Sequence, residues 1–164
     1  MAPDDADDLS DLEELARSVI DANKYMVLGT ADGDGLPHVS PVYFTPDRHR
    51  DLYWVSSPES RHSKNIASRP EVSIVVFDSQ VPIGGAKAVY MAARAELVPD
   101  HELEQRARFY CGRYPELRTF GPDDLRSPAD LRLYRARVHE HSVLVRGSDP
   151  KRGRGVDSRF VVQL

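Results

Sequence analysis

Between Tyr25 and Ser56 three short apolar runs follow one another with only tight turns between them. YMVLGTA (25–31), LPHVSPVYFT (36–45) and LYWVS (52–56) each read as a strand. The turns DGDG (32–35) and PDRHRD (46–51) carry the residues that allow sharp reversal. Connections this short join antiparallel neighbours and leave no room for a crossover helix. Pro41 marks the second strand as an edge or a bulge. Further along, EVSIVVFD (71–78) is apolar on both faces and is expected to be central and buried. KAVYMAARAELV (87–98) and residues 131–146 complete the strands. In the last of them the apolar phase slips between Val138 and Val143, which predicts a bulge near His139–Ser142.

Three segments carry helical spacing instead. Leu9, Leu12, Leu15, Ala16, Val19 and Ile20 recur at three and four. Residues 57–69 open with Ser57 as cap and Pro58 at the first helical position, and end at the Arg69-Pro70 step. Residues 100–114 place Leu103, Ala107, Tyr110 and Tyr114 on one face. The expected organisation is an unstructured acidic start (1–8), one domain (9–146) and a tail (147–164). Residues 115–130 are read as irregular, and the closing FVVQL is apolar enough to dock. Six antiparallel strands and three helices predict a mainly β fold, a closed or split β-barrel with flanking helices.

Composition limits the function classes. The chain has 164 residues, 40% hydrophobic and 29% charged, which fits one globular domain. A net charge of -4 speaks against a nucleic-acid binder held by bulk charge. The single cysteine, Cys111, has no internal disulfide partner and reads as packing. With no apolar run of bilayer length and an acidic start, the expectation is a cytoplasmic protein with no membrane partner. Asp32-Gly33-Asp34-Gly35 reads as a hairpin turn, not a calcium loop. His139 and His141, at i and i+2 on a strand, share one side and could begin a metal site, but no third ligand accompanies them and no metal is expected.

The strongest local signal for chemistry is the step from strand to helix around residue 60. Ser56 and Ser57 end a strand, and Ser60, Arg61, His62 and Lys64 open a helix. Free N–H groups at a helix start attract an anion, hydroxyls add donors, and an arginine grips two phosphate oxygens at once. An ordinary solvated helix accounts for the spacing equally well, because Glu59 opposes an anion there. No G-x-S-x-G context supports a hydrolase.

The ordered set of strand, S-R-basic helix, RPEVSIVVF strand, loop and AVYMAARAEL resembles the pyridoxamine 5'-phosphate oxidase-like family of flavin-binding split barrels. The hairpin YMVLGTADGDGLPHVSPVYF is similar to that family's opening, and the likeness covers about residues 20–100. It implies a homodimer of six-stranded split barrels, with FMN at the subunit interface and a small-molecule substrate. It also implies an FMN phosphate held by Ser60, Arg61 and His62, the last replacing a lysine that Lys64 would supply. The flavin ring would lie along Ser40, Pro41, Val42, Tyr43, Val55 and Ser56. Two features depart from the oxidase itself. Ala88 stands where it has a glutamine, and Arg159-Phe160 echoes its tail without the histidine. The expectation is therefore a divergent FMN-dependent oxidoreductase with no assigned catalytic side chain. On the same fold, the alternatives are a deazaflavin (F-420)-dependent reductase, using Arg48, Arg50 and Arg69 as an added basic groove, and a non-catalytic flavin- or haem-binding protein, with His62 or the His139/His141 pair as haem ligand.

Overall fold

A computed structural model describes the backbone of residues 4–164 and the side chains from residue 9 onward. Helix α1 runs Asp4–Ala22, so it begins before Leu9; the acidic start falls partly on residues 1–3, outside the described residues. Strands β1 (Tyr25–Ala31), β2 (Pro37–Tyr43), β3 (Thr45–Asp47) and β4 (Asp51–Ser56) precede helix α2 (Arg61–Ser68). Strands β5 (Glu71–Phe77) and β6 (Ala88–Leu97) lead to helix α3 (Asp100–Cys111) and a 3-10 turn, Pro122–Leu125. The long strand β7 (Arg132–Val145) and β8 (Ser158–Val162) complete the chain.

All pairings are antiparallel, and the sheet order is β2-β1-β5-β6-β7-β4-β3, with β8 also on β7. The sheet curls into a half-barrel, so that β2 and β4 approach across its open side although they are far apart in the order. This is the expected mainly β split barrel, with eight described strands instead of six. The two extra strands are short. β3 hides in the PDRHRD turn, with Pro46 at the edge of the sheet, and β8 forms where FVVQL docks on β7.

Alternation decides which residues enter the barrel. Met26, Leu28, Val72, Ile74, Val76, Val89, Met91 and Trp54 fill the inside beneath Ala16, Val19 and Ile20 of α1. β5 is central, but only this one face is buried; Glu71, Ser73 and Phe77 are exposed on the other, which corrects the expectation of burial on both. A second cluster lies on the opposite face of β4 and β7, where Leu103, Ala107 and Tyr110 of α3 cover Tyr53 and Leu133. α3 ends at Cys111 rather than at residue 114, and Gly112 follows it.

The predicted bulge is present. Ala92 faces Glu140 while Ala93 faces Val138, so His139 is the extra residue. It breaks the alternation that would have put His139 and His141 on one side: His139 is exposed, whereas His141 is buried and donates from Nε2 to the His49 carbonyl at 2.7 Å. β7 also changes partner here, pairing with β4 before the bulge and with β8 after it. Among the described residues no helix is long and apolar enough to cross a membrane, and no group of three or more His, Cys, Asp or Glu side chains could hold a metal ion.

Candidate functional site: the head of helix α2

Helix α2 begins at Arg61, and its cap is Ser60 rather than Ser57. Ser57 is used one turn earlier: its Oγ accepts the Glu59 N–H at 3.1 Å and its carbonyl accepts the Ser60 N–H at 3.1 Å. That turn contains Pro58 and delivers Ser60 in extended conformation, φ -63° and ψ 151°, where its Oγ accepts from the Ser63 N–H. The cap satisfies the Ser63 N–H, and the Arg61 and His62 N–H groups have no acceptor inside the helix.

His62 is the centre of the site. It is buried, and its ring lies in the gap between β2 and β4. Nδ1 is 3.3 Å from Ser40 Oγ on β2; Nε2 is 2.9 Å from Ser56 Oγ on β4 and 3.1 Å from Ser60 Oγ. The network continues on both sides. Ser40 Oγ is 3.1 Å from His38 Nε2, and Ser60 Oγ is 2.8 Å from Ser63 Oγ. Deeper in, Asn65 donates to Thr30 Oγ1 at 3.0 Å. Burial pushes the His62 pKa below its ordinary value, and the neighbouring His38 adds to the shift.

The structure therefore brings together Ser40, Ser56, Ser60 and His62 of the expected set. The others sit elsewhere, and alternation explains most of it. Val42 is buried in the barrel core. Tyr43 and Val55 face the other side and pack against the cluster under α3, while Pro41 is exposed. Arg61 is exposed beside the helix head, 3.9 Å from Asp32 of the β1–β2 turn. Asp32 also accepts from the Asp34 and Leu36 N–H groups, so the DGDG segment is the hairpin turn expected. Lys64 bonds Glu59 at 2.9 Å and lines a different concavity, about 590 Å³, shared with Arg94 and Tyr134. It is thus absent from the charge around His62. Arg50 bonds the Leu164 carbonyl and Arg69 the Gly33 carbonyl, so these two cations belong to separate hairpins. His38, Ser63, Thr30 and Asn65 were not anticipated. His38 could have been found from its place two residues before Ser40, on the same face of a strand.

The donor set suits a phosphate group. The Ser56 and Ser60 hydroxyls meet at His62 Nε2 beside the start of α2, and Arg61, the first residue of the helix, is exposed and 3.9 Å from Asp32; the set is rich in hydrogen-bond donors and poor in fixed positive charge. A second concavity, about 440 Å³, lies on the outer face of the sheet and is lined by Val27, Gly29, Val39, Ser73, Val75 and Tyr90. There the Arg159 guanidinium stacks 3.6 Å over the Tyr90 ring.

The fold is shared with several solved structures. A haem-binding protein from Mycobacterium smegmatis is 18% identical with a TM-score of 0.68; the match covers 90% of this chain and 56% of that one, so this chain spans little more than half its length. The haem storage protein HutZ from Vibrio cholerae is 22% identical with a TM-score of 0.56, covering 79% and 88%. An F420 reductase is 24% identical with a TM-score of 0.57, covering 77% and 94%. No curated protein matches the chain. Residues 12–143 match the family model of pyridoxamine 5'-phosphate oxidase, a span that takes in the barrel, the seam between β2 and β4 and the head of α2, and the chain belongs to that family.

Proposed function

We propose that this chain is a cytoplasmic FMN-dependent oxidoreductase, homodimeric, that acts on a small molecule. The observation that carries the reading is the meeting of Ser56 and Ser60 at the head of α2, where Arg61 opens the helix and the family's cofactor phosphate would be held. FMN, when bound, supplies hydride and electron transfer, and the chain's task is to bind and orient it. Ser56 would donate its hydroxyl hydrogen to the phosphate, Arg61 would add a bidentate cation, and the first-turn N–H groups would complete the seat. A second copy is favoured by the outer sheet face, where Tyr25, Val39 and Val161 are exposed beside the 440 Å³ groove.

FMN titration followed by flavin fluorescence tests the seat. Arg61→Ala should weaken binding about tenfold or more, the effect of losing one charge-assisted contact. Unchanged affinity would remove Arg61 from the site. A second reading, deazaflavin or haem on the same fold, is favoured by the F420 reductase and the two haem proteins among the structural neighbours. It is separated from the first by the absorption spectrum of the purified protein.

A further inference from the structure

We propose that His62 couples occupation of the seat by a phosphate-bearing cofactor to the uptake of one proton, an inference that rests on the reading of the seat given above.

The geometry allows both protonation states without rearrangement. All three ring contacts are hydroxyls: Ser40 on Nδ1, and Ser56 and Ser60 on Nε2. A hydroxyl can donate or accept by rotating its hydrogen. Beside a neutral imidazole, one hydroxyl donates to the ring and another accepts from it. Beside an imidazolium, both nitrogens donate and every hydroxyl accepts. The Ser56 hydrogen is then free to turn toward an anion at the head of the helix, while Ser60 keeps its donation to Ser63 Oγ. A ligand's charge at the head of the helix and the ring's proton are thus linked through the Ser56 hydroxyl, which contacts Nε2 directly.

Without an anion beside it, the surrounding charge favours the neutral ring. From β2, His38 faces it through Ser40. From β7, Tyr134 approaches only as far as Ser63. On α2 itself, Arg61 is turned to Asp32 and Lys64 to Glu59. Among the described residues no carboxylate forms an ion pair with His62, and burial opposes its charging. A phosphate dianion brought close reverses that balance, because an opposite charge within about 4–6 Å raises a histidine pKa by one to three units. The chain thus makes up its shortage of fixed positive charge with a proton taken up on binding.

Calorimetry of FMN binding to the full chain, at about pH 7.5 in buffers of different ionisation enthalpy, reads the proton directly. At that pH a phosphate ester with a second pKa near 6 is already a dianion and contributes little uptake of its own. The expected result is net proton uptake of up to one per FMN, with affinity falling by up to about tenfold per pH unit between the free-state and bound-state pKa values and levelling off above the latter. Riboflavin, which lacks the phosphate, should show none. His62→Gln should bind FMN without uptake and with a flat pH profile. If that variant does not fold, the imidazole ¹⁵N shifts of wild-type His62 give the same answer: neutral before FMN and doubly protonated after. FMN binding with no uptake, or uptake that persists in His62→Gln, overturns the coupling and leaves the seat intact. No FMN binding between about pH 6 and pH 8.5 overturns the seat itself, and the coupling with it.

Discussion

Arg135 of β7 is only 2% exposed, yet its Nη1 lies 2.8 Å from Glu102 Oε2 on α3. Its Nη2 also lies 2.5 Å from Glu96 Oε1 on β6. One guanidinium thus ties α3 to two neighbouring strands. The Arg135 hydrogen bond holds the Glu102 carboxyl below its ordinary pKa, against the effect of burial. Removing the arginine leaves Glu102 with Arg106 and Glu96 with Arg137, and opens a gap where the buried guanidinium lay. Because both carboxylates are partly exposed and keep a second arginine, Arg135→Leu should cost about 1–2 kcal/mol in urea unfolding. A group with a lowered folded pKa contributes stability above its unfolded value that is lost as pH falls through the folded one. Wild-type stability should therefore fall on acidification below the ordinary value of 4.5, and Arg135→Leu should show a shallower fall over the same range.

Arg113 closes the end of α1. Its Nη2 donates to the carbonyls of Ile20, Asp21 and Asn23 at 3.3, 3.0 and 3.0 Å, and its Nη1 donates to the Phe44 carbonyl. The guanidinium also lies 4.8 Å over the Phe44 ring. Those of Ile20 and Asp21 are carbonyls that the last turn of the helix leaves unpaired, at the end where its dipole favours a cation. Arg113→Ala should lower stability by about 2–3 kcal/mol, the scale of a lost charged hydrogen-bonding group. Denaturant melts would show it. Arg113→Lys should recover only part of the loss, because an ammonium cannot span the same carbonyls.

His62 and His141 are both buried with pKa values pushed below 6.5, in each case chiefly by burial. The unfolded chain then takes up protons before the folded one does. Stability should decline as pH drops below 6.5 and level off below the folded values, at most about 1.4 kcal/mol per pH unit for each histidine. Urea midpoints measured across that range should slope less in His62→Gln and His141→Gln. Equal slopes in wild type and both variants would contradict the assignment.

Lys64 and Arg61 are three residues apart on α2 but serve different surroundings, Glu59 and Asp32. FMN affinity should therefore drop about tenfold in Arg61→Ala and change less than about twofold in Lys64→Ala, because a salt bridge between exposed groups is worth little. Equal losses would mean that the lysine turns into the seat when the ligand arrives.

The barrel was legible because period-two alternation and tight turns are local signals, and the slip between Val138 and Val143 was enough to show the bulge at His139. Features that depend on contacts distant in sequence were not. Ser57 and Ser60 are both good caps by type, and only the turn through Pro58 selects Ser60. β3 and β8 are too short to stand out without the neighbours they pair with. Nothing local in the sequence marks Arg135 for burial; its cover and its partner Glu102 come from α3. At the site, sequence spacing placed Lys64 near Arg61, but the approach of Ser40 and Ser56 from two distant strands singles out His62 instead.

The central claim, that the head of α2 seats a flavin phosphate, is tested most directly by the absorption spectrum of the purified protein together with mass spectrometry of whatever heat releases from it. The expected result is a yellow protein that releases FMN in near-stoichiometric amount, or a colourless one that takes up added FMN to one per chain. A haem spectrum, or a colourless protein that binds no added FMN, would contradict it.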